Sequence, residues 1–224
     1  MDIDEIINKI VSAEWDMFTA VNEGEERASC QEDRATFEGM RTAQFSQWSS
    51  GAACSYLEDL EEARRAGRNL VEEKYIHMMK TTEPSRYAAL LPRVNAPGGE
   101  ALALAQEVSG LLLEQTRLLF EDYPYVSGQG RPLYSAFDYA GTSVETYQFG
   151  ELLTYSVKTL AGLREHINAL AAEGRSLARE ILEATVKYYG YASLDAAEAA
   201  MKERVDKAGI QVTYGCCAGG DCEV

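Results

Sequence analysis

Apolar residues in this chain recur in steps of three and four from near its start, and no alternating stretch of useful length interrupts them. Ile6, Ile10, Trp15 and Phe18, with Val11 beside the stripe, define an amphipathic helix over residues 3–21 that Asn22-Glu23-Gly24 ends. Glu25 to Asp33 is polar and loop-like. A long helix is predicted from about Arg34 to Ala66, bent near Ser50-Gly51 and stopped by Gly67. The next runs from about Asn69, whose side chain can cap the free N–H groups of the first turn, to Thr81. Pro84 and Pro92 frame a short helical piece, and Pro97-Gly98-Gly99 is the clearest punctuation in the chain.

Past that boundary the pattern resumes. Leu102, Ala105, Val108, Leu112, Gln115 and Leu119 support a helix from Glu100 to about Phe120. Glu121 to Ala140 is the longest irregular stretch, of a length more often functional than idle. A second long helix begins at Thr142 or Ser143. Its seam is Phe149, Leu153, Ser156, Leu160, Leu163, Ile167 and Leu170, and Gly174 ends it. Helices over about Ser176–Tyr189 and Leu194–Ala208 follow. Residues 209–224 do not continue the helical pattern. The expected fold is all-α, with a core over residues 1–208 and a flexible, Gly- and Cys-rich end.

The two long helices resemble each other. Phe37 to Ser49 pairs with Val144 to Ser156, and Gly67-Arg68-Asn69-Leu70 pairs with Gly174-Arg175-Ser176-Leu177. A single offset of 107 residues relates Trp48 to Tyr155, Gly67 to Gly174, Glu73 to Glu180 and Lys80 to Lys187. This pattern is read as an internal duplication, with halves of about 1–96 and 100–208 packed about a pseudo-twofold axis.

Composition narrows the partners. A net charge of −15 opposes binding to nucleic acid or to an anionic membrane, since both need clustered Lys and Arg. The acidic N-terminus lacks the basic and apolar regions of a secretion signal, and no apolar run approaches the roughly 20 residues of a membrane span. Five cysteines, two isolated and three crowded at the end, do not form a distributed disulfide framework, and a cytoplasmic location is expected.

The segments Glu14-Trp15-Asp16-Met17-Phe18, Arg27-Ala28-Ser29-Cys30-Gln31, Gly67-Arg68-Asn69-Leu70, Gly130-Arg131-Pro132 and Glu151-Leu152-Leu153-Thr154-Tyr155-Ser156 stand together in this order. In them the chain resembles the bacterial family labelled domain of unknown function 4125, up to about Ala197. The resemblance implies a single-domain bacterial protein of cytoplasmic type and carries over no catalytic residue.

Candidate chemistry falls in three places. Arg41, Gln44 and Trp48 share one helical stripe, and Gln148, Glu151 and Tyr155 stand at the matching positions. Facing each other between the halves, these stripes would make a polar cluster with aromatic walls, the makeup of a small-molecule pocket. Arg27 and Arg131, in similar places in the two halves, suit carboxylate or phosphate groups of an anionic ligand. The plainer alternative is an Arg–Glu pair that only fixes helix register.

Histidine is the second place. Glu73 and His77 lie four apart, but the second half has Ala184 where His77 would repeat, which speaks against a di-metal carboxylate centre; His166 stands in an apolar seam. No nucleophile elbow is present. Cys30 could be reactive beside Arg27, Cys54 is expected to pack as a small hydrophobe, and Gly128-Gln129-Gly130-Arg131 follows no strand.

The third place is the end of the chain. Cys216, Cys217 and Cys222, joined by glycines, could converge on a soft metal ion (Zn or Cu(I)) or an iron–sulfur cluster, exchange disulfides with a protein partner, or be idle. The leading expectation is a binding or accessory protein for a small anionic molecule or a metal ion. The alternatives are an enzyme using Glu151 with Tyr155 or Tyr147 as acid–base groups, and a helical interaction scaffold.

Overall fold

The computed structural model describes residues 2–21 and 31–208, and among them every regular element is helical. In chain order these are α1 (Ile3–Thr19), α2 (Arg34–Phe45), α3 (Ser50–Arg65), α4 (Leu70–Thr82), α5 (Pro84–Leu90), α6 (Gly99–Asp122), α7 (Pro124–Ser127), α8 (Val144–Leu152), α9 (Val157–Ala172), α10 (Leu177–Tyr188) and α11 (Leu194–Ala208). Two 3₁₀ turns lie at Leu91–Arg93 and Ser135–Ala140.

Both expected long helices are in fact broken. α2 stops at Phe45, and Ser49 restarts the chain as α3 by accepting a hydrogen bond from Ala52 N. α8 stops at Leu152, and Ser156 restarts it as α9 by accepting from Thr159 N. A short polar side chain satisfies N–H groups that a helix start leaves orphaned, so a serine there favours a new start over a continuous seam. Ser156 is therefore a cap and not a seam residue. Trp48 and Tyr155 occupy the two breaks, and His166 Nε2 lies 2.7 Å from the carbonyl of Gln47 in the first of them.

The far ends also match. Gly67 and Gly174 have φ of 69° and 71°, the left-handed conformation that glycine adopts without strain. In each case the next amide reaches back to close the last turn, Arg68 N to Ala63 O and Arg175 N to Leu170 O. Arg68 then pairs with Glu73, and Arg175 with Glu180.

Packing is reciprocal. α4 lies on α8, α10 lies on α2, and α3 and α9 pack on each other. α1 packs on α2, α3 and α4, while α6 packs on α8, α9 and α10. The core between them includes Ile10, Phe45, Leu60, Val108, Leu160 and Ile167. A smaller apolar cluster of Leu119, Tyr123, Val186, Leu194 and Ala197 fixes α11 and α7 over the α6–α10 end. Glu198 of α11 strengthens it by accepting from the Tyr125 and Val126 amides at 2.8 Å each.

Two side chains depart from expectation. The buried stripe of α1 passes through Glu14, only 2 % exposed, and leaves Trp15 half-buried. Cys54 faces solvent and does not pack inside.

Candidate functional site

α2 and α8 meet near the centre, where their facing sides carry Arg41 and Glu151. Arg41 is 9 % exposed and Glu151 7 %. A guanidinium offers five N–H donors, and here the fixed protein groups engage all of them. Nε and Nη2 grip both oxygens of Glu14, at 2.6 and 2.5 Å. Nη2 also reaches Glu151 Oε1 at 2.7 Å, and Nη1 donates to Gln44 Oε1 at 2.7 Å and to Glu151 Oε2 at 3.5 Å.

The carboxylates take up the rest. Lys74 of α4 donates to Glu151 Oε2 at 2.5 Å, and Tyr155 donates to Glu151 Oε1 at 2.8 Å. Tyr56 of α3 donates to Glu14 Oε1 at 2.7 Å. Two cations thus balance two anions away from water. Such a group tolerates burial only while every member keeps its partners.

Aromatic rings surround the network. The Arg41 guanidinium lies 4.7 Å from the Phe45 ring centre, and the Tyr56 and Tyr155 rings approach to 4.6 Å. Lys74 Nζ stands 3.6 Å from the centre of the Tyr147 ring, and the Arg131 guanidinium stands 4.6 Å from the same ring.

Titration follows from this geometry. Burial pushes the Glu151 carboxyl up, but the charges and hydrogen bonds of Arg41 and Lys74 outweigh it and hold the group well below the usual carboxylate range. Burial and the neighbouring carboxylates push the Tyr155 and Tyr56 phenols well above their ordinary value. Glu151 is therefore locked as an anion and Tyr155 as a neutral donor.

On one side of this network a cavity of about 970 Å³ opens. Its floor includes Arg41, Gln44, Trp48, Tyr147, Gln148, Glu151 and Tyr155. Its sides are apolar: Leu112 and Leu119 of α6, and Ile181 and Leu182 of α10, with Thr116 and Thr185 among them. On α7 and α11 and beyond α7 stand Val126, Gln129, Ala197, Met201 and Arg204, while Arg131 lines the cavity against Tyr147; Gln129, Arg131 and Arg204 are exposed. On the other side of the network a water-sized space of about 30 Å³ touches Glu14, Lys74, Phe18 and Phe37.

The residues singled out in sequence fall as follows. Arg41, Gln44, Trp48, Arg131, Gln148, Glu151 and Tyr155 all line the large cavity. Of these, Arg41, Gln44, Glu151 and Tyr155 share the hydrogen-bonded network. Gln148 instead donates to the Ser109 carbonyl at 3.1 Å, and Arg131 to the Thr142 carbonyl at 2.9 Å. Arg27, Cys30, Cys216, Cys217 and Cys222 lie outside the described residues.

Glu73 is held by both donors of Arg68, at 2.8 and 2.6 Å, while His77 is buried with no partner for Nε2 among the described residues. No three His, Cys, Asp or Glu side chains come together there as metal ligands, again among the described residues. Sequence reading missed Glu14, Tyr56 and Lys74 as members of the network. Glu14, a charged residue on the otherwise apolar stripe of α1, was the available signal; α4 buries Glu73 and His77 beside Lys74, so its pattern did not single out Lys74.

The fold and site define an all-helical protein in which a buried, self-neutralising ion network floors an apolar cavity. No described helix is long and apolar enough to cross a membrane. The chain belongs to the family described as protein of unknown function (DUF4125), which matches residues 4–199. Comparison with curated proteins and with solved structures gives no match.

Proposed function

We propose that this protein is a cytoplasmic binding protein that holds a small organic molecule in the cavity between two duplicated halves. The observation that carries the reading is the cavity itself. Its volume lies at the upper end of the range for small-molecule sites, its walls are mostly apolar, and a few convergent polar groups stand at one end. The reciprocal packing and the matched helix breaks support the duplication. The pseudo-twofold would then place α2 and α8, and with them Arg41 and Glu151, beside the axis.

The network serves as a rigid floor. Arg41 has no donor left for a ligand, so it orients the site without gripping an anion. The same argument weighs against an enzyme using Glu151 or Tyr155, because an acid–base group works best with a pKa near the working pH and both are driven away from it. The thiols of Cys216, Cys217 and Cys222 form a separate part of the proposal, a soft-metal or disulfide-exchange element that rests on sequence alone.

The test is titration of the full chain with phenylnaphthylamine, a neutral dye that brightens in apolar surroundings. Saturable binding at one dye per chain is expected, and Thr185→Trp, which places an indole in the cavity, should abolish it. Binding that is non-saturable, or indifferent to Thr185→Trp, would remove the cavity as the site.

A further inference from the structure

Among the described residues, most arginines of this acidic protein are committed. Arg34, Arg41, Arg64, Arg68, Arg86, Arg93, Arg117, Arg164, Arg175 and Arg179 each sit within ion-pair distance of a carboxylate. Among the described residues, Arg65, Arg131 and Arg204 have no carboxylate partner. Two of those three line the cavity.

Both are exposed. Arg131 lies just beyond α7, Arg204 lies on α11, and α7 and α11 pack on each other. Arg131 makes one hydrogen bond, to the Thr142 carbonyl, and rests on the Tyr147 ring. Arg204 has only a long contact, 3.9 Å, to the Met201 sulfur. A guanidinium has five donors, so each keeps most of its capacity unused. In a chain of net charge −15, two exposed cations free of carboxylate partners on one apolar cavity are available to an anion that enters it.

Resting on the cavity reading above, we propose that the ligand is an amphipathic organic anion. Its apolar body lies between α6 and α10, against Leu112, Leu119, Ile181 and Leu182. Its acidic group is met by the exposed arginines Arg131 and Arg204, and not by Arg41, whose donors are taken. Planar forked donors suit a carboxylate, sulfonate or phosphate equally, so the class is set by charge and shape.

A matched pair of dyes tests this. Anilinonaphthalene sulfonate is phenylnaphthylamine with one added sulfonate, so the two share an apolar body and differ in the anion. The full chain should bind the anionic dye more tightly. Arg131→Gln combined with Arg204→Gln should weaken the anionic dye about tenfold, the scale of lost hydrogen bonds to a charged group, and leave the neutral dye unchanged. Arg65→Gln, away from the cavity, serves as control and should change neither.

If the neutral dye binds in the cavity but the anionic dye binds no more tightly, or ignores the double variant, the anion inference is overturned while the cavity reading stands. If Thr185→Trp leaves the binding of both dyes unchanged, both readings fall. Should Arg41→Gln, in folded protein, cost the anionic dye more than the double variant does, the head group has been assigned to the wrong arginines and the anion inference is overturned.

Discussion

The two sides of the central ion network are built on matching frames and filled differently. On one side, Phe37, Lys74 and Tyr75 crowd against α1, where the Phe37 ring approaches those of Trp15 and Phe18 to 5.2 Å each, and only about 30 Å³ remains. The residues 107 positions later are Val144, Ile181 and Leu182, and all three line the cavity of about 970 Å³. Smaller side chains at matching places leave space that no neighbouring helix fills. Apolar interiors otherwise pack to near-crystalline density, as the filled side does, so the cavity is what sets the two sides apart.

The largest effect should come from breaking the network that separates the sides. Arg41→Ala leaves Glu14 and Glu151 short of their shared cation and should cost about 3–5 kcal/mol in denaturant unfolding. Acid should act on the same group. Glu151 is held below its ordinary value of 4.5, so the unfolded chain takes up a proton there before the folded chain does. Its contribution to stability is therefore complete above about pH 4.5 and declines as the pH falls further, and Glu151→Gln should flatten that acid limb of the stability profile. An unchanged limb in Glu151→Gln would show that the network does not couple folding to protons.

Exchanging the two fillings comes next. Phe37→Val with Tyr75→Leu hollows the packed side and should cost about 2–4 kcal/mol as a large-to-small change. The reverse exchange, Val144→Phe with Leu182→Tyr, should cost less than about 1 kcal/mol because it adds bulk to open space, not to a full core. It should also abolish dye binding. Equal costs for the two exchanges would mean that the sides are not differently packed in solution.

Helix approach gives a smaller contrast. A Cβ at Gly150 would stand 3.0 Å from Met78 Cγ and 3.1 Å from the Lys74 carbonyl, so α8 would have to back away from α4. Gly150→Ala should therefore cost about 1–3 kcal/mol. At Gly39 a Cβ would meet the Tyr188 ring, but that ring is half-exposed and can swing out, losing its 2.8 Å bond to the Ala35 carbonyl. Gly39→Ala should cost about 1 kcal/mol, and Tyr188→Ala should largely absorb the penalty. Thermal unfolding of Gly150→Ala, Gly39→Ala, Tyr188→Ala and the double variant of the last two checks the order.

The smallest effect concerns His77, on the packed side. Burial lowers its pKa below 6.5, more than the charge of Glu73 raises it, so the unfolded chain binds the proton more readily. Stability should decline as the pH drops through about 6.5, by a fraction that His77→Gln removes, measurable as the difference in Tm between neutral and mildly acidic buffer.

Sequence alone determined the helical class, the matched glycines at 67 and 174, and the residues that would face each other at the centre. Those features are local: a period of three to four, a glycine free to take positive φ, and a fixed offset are all written along the chain. The helix breaks at Ser49 and Ser156 were also written there, as capping serines, but an apolar seam running through them masked the signal. Tertiary structure decided the rest. Glu14 and Lys74 read as ordinary charges until packing carried α1 and α4 against the Arg41–Glu151 pair. Arg41, which looked like a hand for an anion, turned out to be fully taken, while Arg131 and Arg204, far apart in sequence, came to line one cavity. Which charges remain unpaired depends on distances between helices, and no pattern along a single helix holds that information.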